Sequence, residues 1–218
     1  MLTPKVPVAK EGYPFIGLAA FCTLFFALVG YTSWAFAGFL VTIFILAFFR
    51  DPERFVPRDE GAIVSPADGK IILSERMFDN QFTGQEVNKV SIFMNVFNVH
   101  VNRAPTDGTV EKIEYKPGKF YSADSKKGGL ENEYCATFIQ APAGQGIVCV
   151  QIAGLIARRI ICWLEPGDVL TRGSRIGLIR FGSRVDLYLP ADTAIRVKVG
   201  EKVVAGETVI GTLDGTEK

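Results

Sequence analysis

Apolar residues are distributed differently before and after residue 50 of this 218-residue chain. From residue 12 to residue 49 there is no Asp, Glu, Lys or Arg, and Phe, Leu, Ala, Val and Ile dominate. This stretch is too long for one membrane span of about 20 residues, and the sequence GYTS interrupts it at 30–33. The pattern predicts two hydrophobic helices, at about 13–30 and 34–49, joined by a tight turn, so that residues 1–50 form a membrane anchor.

The charges that flank this anchor predict its orientation. Two lysines, Lys5 and Lys10, precede the first helix, and three arginines, Arg50, Arg54 and Arg58, follow the second. Because Lys and Arg flank membrane helices on the cytoplasmic side, the rest of the chain is expected on the cytoplasmic face of the cell membrane. Each helix is slightly short, and its length does not decide between a full crossing and a hairpin held in one leaflet. No small-residue cleavage site follows the first helix, which disfavours a secretory signal peptide.

After residue 50 the apolar residues come in short runs separated by Gly, Pro and Asp, and the lengths of these runs are typical of strands. Strands are predicted at 71–73, 90–96, 109–115, 134–139, 147–152, 160–164, 175–181, 185–189 and 194–199. Helical periodicity is scarce in this part, and 151–159 is the best candidate for a helix. Residues 51–218 are therefore predicted to form one mainly β domain with a single core.

Two pairs of similar segments refine this fold class. PGDVLTRGSRIG at 166–177 is similar to VGEKVVAGETVIG at 199–211, and both predict a turn, a strand, a Gly turn and another strand. SPADGKI at 65–71 is similar to APTDGTV at 104–110, and both predict a Pro-x-Asp-Gly turn before a strand. Paired Gly-spaced hairpins are typical of biotinyl and lipoyl carrier domains. The soluble domain is therefore expected to be a biotinyl/lipoyl-like flattened barrel, behind an N-terminal two-helix membrane hairpin.

Composition narrows the classes of partner and cofactor. The net charge is +1, from 24 Lys and Arg against 23 Asp and Glu, which disfavours nucleic acid as a partner. The four cysteines have no Cys-x-x-Cys spacing, so neither a zinc site nor a disulfide framework is expected. Free thiols in a reducing compartment fit this usage best.

The dipeptide Gly182-Ser183 is the candidate site of a self-cleavage. Gly182 has no Cβ, so its backbone can take a positive φ and leave its carbonyl open to the next side chain. The Ser183 hydroxyl would take the acyl group from its own nitrogen, and β-elimination and hydrolysis would leave a pyruvoyl group and ammonia. Gly-Ser pairs are common in turns, so other residues must support this interpretation.

One such residue is His100, the single histidine and thus the only side chain with an unperturbed pKa near neutrality. Alternation from 98 to 102 predicts a strand with the His and two Asn residues on one face and the valines on the other. An Asp bonded to one ring nitrogen would let the other nitrogen deprotonate Ser183. The two Pro-x-Asp-Gly turns offer Asp68 and Asp107 for this role, and the residues alone do not choose between them.

Four motifs together resemble the phosphatidylserine decarboxylase proenzymes, in particular their short bacterial and archaeal type. The motifs are FFRDPER at 48–54, VSPADG at 64–69, FMNVFNVHVNRAP at 93–105 and GLIRFGSRVD at 177–186. With the hydrophobic hairpin in front, they cover the chain from about residue 14 to its end. The longer relatives carry two histidines where this chain has His100, and an LGST run where this chain has FGSR, which favours the short type.

The resemblance implies that Asp68, His100 and Ser183 form a self-processing triad. Cleavage between Gly182 and Ser183 would give a β chain of residues 1–182 and an α chain of residues 183–218 with an N-terminal pyruvoyl group. The resemblance further implies that this group forms a Schiff base with the serine amine of phosphatidylserine and accepts electrons as carbon dioxide leaves. No metal or pyridoxal phosphate would be needed, and His100 would reprotonate the carbanion to give phosphatidylethanolamine.

The implied substrate is a phospholipid that stays in the membrane, where a tethered active site meets it at high effective concentration. Arg103, Arg180 and Arg184 are candidate ligands of its phosphate. Archaetidylserine is the nearest alternative substrate, because its headgroup is the same. The sequence does not decide the acyl-chain preference. It also leaves the oligomeric state open, and a homo-oligomer is one possibility.

Two alternatives come from other classes of protein. A non-catalytic, membrane-tethered adaptor of the biotinyl/lipoyl type would need a lysine at the hairpin tip, and residues 180–192 contain none. A serine hydrolase that uses Ser183 would need a Gly-x-Ser-x-Gly elbow, which is missing.

Overall fold

The computed structural model describes residues 7–123, 125, 131–155, 159–180 and 182–213. The chain forms two compact units that divide between Glu53 and Arg54. The first unit is helical and the second is built from strands.

Two apolar helices make up most of the first unit: α1, Tyr13–Leu28, and α2, Thr32–Phe48, which follow a 3-10 turn at Lys10–Gly12. Their bounds lie within two residues of the predicted ones. The turn between them contains Gly30 at φ +85, a conformation that favours glycine. The predicted pair of helices is therefore confirmed, whereas its location in a membrane stays a prediction.

The two helices pack through small residues and leave large apolar side chains uncovered. A Cβ on Gly38 would lie 2.7 Å from Thr23 Oγ1, so α2 approaches α1 closely at this point. Phe21 is 67% exposed and Leu28 is 79% exposed. Among the described residues, Lys10–Leu28 is long and apolar enough to span a membrane, whereas Thr32–Phe48 is a shorter apolar helix.

The second unit is made of antiparallel strands. In its described part the strands are β1 Ala62–Val64, β2 Gly69–Asp79, β3 Gln85–Met94, β4 Val101–Arg103, β5 Gly108–Lys116, β6 Tyr134–Gln140, β7 Gly146–Ala153, β8 Ile160–Cys162, β9 Val169–Leu170, β10 Arg175–Ile179, β11 Ser183–Pro190, β12 Ala194–Ile195, β13 Lys202–Val203 and β14 Val209–Thr212. Eight of them form a curled, half-barrel sheet in the order β13-β2-β3-β11-β7-β6-β5-β9. Two three-stranded sheets, β1-β14-β12 and β4-β10-β8, complete the unit.

The strand order is symmetric about the contact between β11 and β7. Reading outward from this pair, β3 corresponds to β6, β2 to β5 and β13 to β9, and the two small sheets correspond to each other. Reciprocal hydrogen bonds join the two halves, because Val64 N donates to Pro105 O at 2.8 Å and Arg103 N donates to Pro66 O at 2.9 Å. The similar segments of the sequence thus occupy corresponding places in an internal pseudo-twofold arrangement.

Both faces of the central strands are covered. On one face, Ile92, Val185 and Leu187 belong to the main core, and on the other, Val150 and Tyr188 belong to a smaller cluster that includes aromatic residues. Strands buried on both faces read as continuous apolar runs rather than as an alternation. This burial explains why 147–152 is almost uninterruptedly apolar.

The mainly β class is confirmed, and each of the nine predicted strands overlaps an observed one. The helix predicted at 151–159 was wrong, because β7 continues through Ala153; residues 156–158 lie outside the described residues. The strand predicted from residue 98 begins only at Val101. Before it, Asn98 Oδ1 accepts a hydrogen bond from Asn95 N at 2.9 Å, so Asn98 closes a turn and does not share a strand face with His100.

Candidate active site

Ser183 is the first residue of β11 and is fully buried. It lies between Met94 of β3 and Ala153 of β7 in the ladder. Its Oγ contacts Met94 Sδ at 3.3 Å, and a thioether is only a weak hydrogen-bond acceptor. The hydroxyl is therefore held in place without being committed to a strong acceptor.

Gly182, the residue before it, has φ +63, in the left-handed region that L-residues other than glycine rarely adopt. A Cβ on Gly182 would meet nothing within 4 Å. Conformation, and not lack of space, is therefore the reason for glycine at this position.

His100 is fully buried and directly precedes β4. Its carbonyl accepts a hydrogen bond from Ile179 N at 3.3 Å, next to the pairing of β4 with β10. The following Asn102 is also fully buried, and its Nδ2 lies 3.6 Å from the same Met94 Sδ that Ser183 contacts. Met94 thus connects Ser183 with the strand that follows His100.

Asp68 lies in the turn before β2. Its two carboxylate oxygens each accept a hydrogen bond of 3.0 Å from Arg54 Nη2, and Oδ1 also accepts one of 2.8 Å from Ala205 N. The Asp68 side chain is 14% exposed, so the ion pair is largely shielded from water. The turn adjoins β4 through the bond from Arg103 N to Pro66 O, yet the hydrogen bonds of Asp68 among the described residues go to Arg54 and Ala205 rather than to His100.

The pseudo-twofold relates Asp68 to Asp107, which accepts a hydrogen bond from Arg172 N at 2.9 Å. Each Asp therefore holds the turn of a neighbouring hairpin. The turn that contains Asp68 bonds to Arg103, three residues after His100, whereas the turn that contains Asp107 bonds to Val64, three residues after Gly61. Of the two turns, the one with Asp68 is therefore bonded to the strand that follows His100.

The three candidate arginines have different surroundings. Arg103 is buried and its Nη1 donates to Gly173 O at 2.8 Å, while Arg180 is partly exposed and its backbone N donates to Arg159 O at 3.4 Å. Arg184 follows Ser183 directly, so alternation along β11 directs the two side chains to opposite faces of the sheet. The structure therefore does not bring Arg184 to the face on which Ser183 lies.

Arg184 belongs instead to a buried charged cluster on that other face. Its guanidinium donates to both carboxylate oxygens of Asp186, at 2.5 and 2.9 Å, and to Ser91 Oγ at 2.8 Å. Lys89 Nζ lies 3.3 Å from Asp186 and donates to the Tyr188 hydroxyl at 2.7 Å. Burial is the main cause that raises the pKa of Tyr188, and the negative charge of Asp186 raises it further. The Tyr188 phenol therefore stays neutral at physiological pH and adds no charge to the cluster.

The cysteines lie outside the candidate triad. All four cysteines are free. Burial, reinforced by the nearby Cys162 thiol and Asp186, raises the pKa of Cys149 to about 12, which keeps this side chain protonated and unreactive at neutral pH.

Sequence reasoning missed Met94, Gln151 and Arg54. Gln151 Nε2 donates to Asn102 Oδ1 at 2.8 Å, and both residues are buried. A signal was present, because Gln151 is a lone polar residue in the apolar run of β7. The pairing of Arg54 with Asp68 left no comparable signal, because it joins a linker to a turn.

Gly182, which is partly exposed, precedes a buried Ser183 at the start of a central strand, and a buried His100 directly precedes β4; together they define a candidate self-processing site in a mainly β protein. A family model described as phosphatidylserine decarboxylase matches residues 41–211. This chain belongs to the phosphatidylserine decarboxylase family.

Curated relatives agree over nearly the whole chain. The phosphatidylserine decarboxylase proenzyme of Desulfotalea psychrophila is 60% identical over 213 residues, which cover 98% of this chain and 100% of the relative. The proenzyme of the same name from Ralstonia pickettii is 50% identical over 97% of this chain and 98% of its own length. That of Geotalea uraniireducens is 46% identical over 98% and 100%. The family suggested by the sequence motifs is therefore confirmed.

Proposed function

We propose that this chain cleaves itself between Gly182 and Ser183 and then decarboxylates phosphatidylserine to phosphatidylethanolamine. Membership of a decarboxylase family over nearly the full length supports the reaction class. The observation that carries the cleavage step is the positive φ of Gly182 directly before a buried serine at the start of β11. Processing would yield a β chain of residues 1–182 and an α chain of residues 183–218.

The cleavage chemistry needs only groups of this chain and one water molecule. Ser183 Oγ attacks the Gly182 carbonyl carbon, a C–O bond forms, the C–N bond breaks and the amine is released. Loss of the Ser183 Cα proton then expels the Gly182 carboxylate and leaves a dehydroalanine. Addition of water and loss of ammonia convert this residue into the pyruvoyl group, so the two chains together equal the precursor plus one water less one ammonia.

His100 is the base that we assign to the first step, because it is the only histidine and, like Ser183, it is fully buried. Asp68 would orient the ring, as in other triads. Among the described residues, Asp68 Oδ2 accepts a hydrogen bond from Arg54 alone, so this oxygen can still accept a second one from His100. The weak contact of Ser183 with Met94 leaves its hydroxyl available to the base.

The position of Ser183 suits a pyruvoyl terminus. After cleavage, pairing of β11 with β3 and β7 would keep the new end of the α chain between Met94 and Ala153. When formed, a pyruvoyl group supplies the electron sink for decarboxylation, so that neither pyridoxal phosphate nor a metal is required. Arg103 and Arg180 remain our candidates for the substrate phosphate, whereas the ion pair with Asp186 gives Arg184 a structural role first.

A membrane location for α1 and α2 is part of the proposal. Both helices lack charged residues and expose large apolar side chains. At about 1.5 Å per residue, the 16 residues of α1 extend about 24 Å, somewhat less than a hydrocarbon core of about 30 Å. The flanking Lys and Arg residues support a catalytic unit on the cytoplasmic face of the cell membrane, and the internal pseudo-twofold supports a flattened barrel of the biotinyl/lipoyl-like type.

Intact-mass measurement of the purified full chain tests the cleavage. Wild-type protein should give two masses that sum to the precursor plus water less ammonia, and Ser183→Ala should give one unprocessed mass and no carbon dioxide release from phosphatidylserine vesicles. Ser74→Ala on β2 is the matched control and should be processed like the wild type. Two chains from Ser183→Ala, or an active wild-type protein that remains uncleaved, would refute the proposal.

A further inference from the structure

A second glycine, Gly154, lies against the carbonyl group of the Gly182–Ser183 bond, where we propose that the chain is cleaved. It follows the last residue of β7, Ala153, which pairs with Ser183. A Cβ built on Gly154 would overlap the carbonyl oxygen of Gly182 and lie 2.9 Å from its carbonyl carbon. The Gly182 carbonyl therefore occupies the space that any other side chain at position 154 would need.

The surroundings of Gly154 leave this carbonyl little room to move aside. The same Cβ would lie 3.4 Å from the methyl group of Ala123, which is buried. Ala123 belongs to a segment that a buried side chain, Asn132, holds in place: its Oδ1 accepts from Tyr121 N at 2.7 Å and its Nδ2 donates to Tyr121 O at 2.8 Å.

Asn132 also fixes the end of β7. Its Nδ2 donates to Ala153 O at 2.8 Å, and Ala153 N donates to Glu133 O at 2.9 Å. Both donors and the acceptor of the amide are thus used to join the end of β7 to the segment at Tyr121. Because Ala153, directly before Gly154, and the segment at Tyr121 are both held, an added methyl group would displace the Gly182 carbonyl rather than these neighbours.

We propose that Gly154 is a positioning residue for self-cleavage, and this inference rests on the proposed function. The missing side chain lets the Gly182 carbonyl lie against β7, and the segment held by Asn132 keeps it there while Ser183 attacks. A Cβ contact shorter than 3.0 Å forces a shift of the order of 1 Å, and a misplacement of that size can slow a reaction about 100-fold.

The test measures the rate constant of cleavage for purified Gly154→Ala proenzyme by denaturing gel and intact mass. Gly154 is not among the glycines with a positive φ, so alanine at this position adds a steric contact without the strain of a left-handed backbone. We expect cleavage about 10- to 100-fold slower than in the wild type. Gly146→Ala, at the other end of β7, is the matched control, because a Cβ there meets nothing within 4 Å, and it should cleave at the wild-type rate.

A second readout separates positioning from a general loss of structure. After cleavage, Gly182 is the end of the other chain, so its carbonyl no longer has to face Ser183. The turnover number per mole of pyruvoyl group in the matured fraction should therefore fall much less than the cleavage rate constant. An equal fall in both quantities, or cleavage of Gly154→Ala at the wild-type rate, overturns the inference. Failure of the wild type to cleave overturns instead the proposed function.

Should Gly154→Ala yield no soluble protein, a second variant, Asn132→Ala, tests the inference by releasing the segment at Tyr121 and the end of β7. Removal of this amide leaves the Tyr121 and Ala153 carbonyls without their donor. We expect a smaller rate constant of cleavage than in the wild type. An unchanged rate constant in folded Asn132→Ala would contradict the idea that the segment held by Asn132 keeps the Gly182 carbonyl in place.

Discussion

Replacing Gly182 by alanine separates conformation from space at the scissile bond. A Cβ at this position meets no atom within 4 Å, so the variant adds no clash. The added cost is that of an L-residue at φ +63, about 1–2 kcal/mol. If attack by Ser183 requires this conformation, the variant must supply that free energy to reach it, and a smaller fraction of the proenzyme is ready for cleavage. The expected result is cleavage about 5- to 30-fold slower than in the wild type.

The control for this experiment is Gly84→Ala in the turn between β2 and β3. Gly84 has φ +66 and equally open surroundings, so alanine at this position has the same free-energy cost of a positive φ, but away from the site. Gly84→Ala should lower the free energy of unfolding by about 1–2 kcal/mol and leave the cleavage rate constant unchanged. Time courses of chain separation on denaturing gels give the rates, and urea unfolding gives the stabilities. If Gly182→Ala is cleaved as fast as the wild type, the positive φ is not part of the attack geometry.

Three further variants test the assigned roles of the other polar residues. His100→Ala should remain an uncleaved or very slowly cleaved proenzyme because the base is lost, and a normal rate of processing on denaturing gels would remove His100 from the triad. Asp68→Asn and Asp107→Asn each weaken a bond to a hairpin turn, at Ala205 and Arg172 respectively, which should lower stability to urea by about 1 kcal/mol; Asp68→Asn should lower it further, because it also removes the charge that pairs with Arg54. Only Asp68→Asn should also slow cleavage, so equal cleavage rates for the two variants would contradict the assignment of Asp68.

Much of the architecture could be predicted because its signals are local. A run from residue 12 to residue 49 without charged residues is enough for two helices, and short apolar runs between Gly and Pro are enough for most long strands. The two-residue strands β9 and β13 are too short to show a pattern, and they form because longer strands, β5 and β2, offer them an edge. The strand at 147–152 was predicted from its apolar run, whereas the end of β7 at Ala153 overlaps the best helix candidate, 151–159, which was wrong because a strand buried on both faces lacks the alternation that would have excluded a helix there.

The site was less predictable, since its contacts join distant parts of the chain. Gly182, Ser183 and His100 could be named because a Gly-Ser pair and a single histidine are visible in the sequence. Nothing local distinguishes Gly154 among 22 glycines, because its importance comes from the carbonyl of a residue on the neighbouring strand. Similarly, the contact of Met94 with both Ser183 and Asn102 depends on how β3, β4 and β11 meet.

The pseudo-twofold gives a physical reason for the location of the candidate site. Both halves need an Asp that accepts a backbone N–H, so Asp68 and Asp107 are explained by stability alone. The histidine that the proposed triad needs is present at only one of two corresponding positions. A histidine stands at position 100 where the other half has Gly61, and the strand beside it, β10, leads through Gly182 into β11. A carboxylate already held by the fold thereby comes to lie in the turn beside the strand that follows the only histidine, and its Oδ2, which accepts from Arg54, can accept the second hydrogen bond that the proposed triad needs.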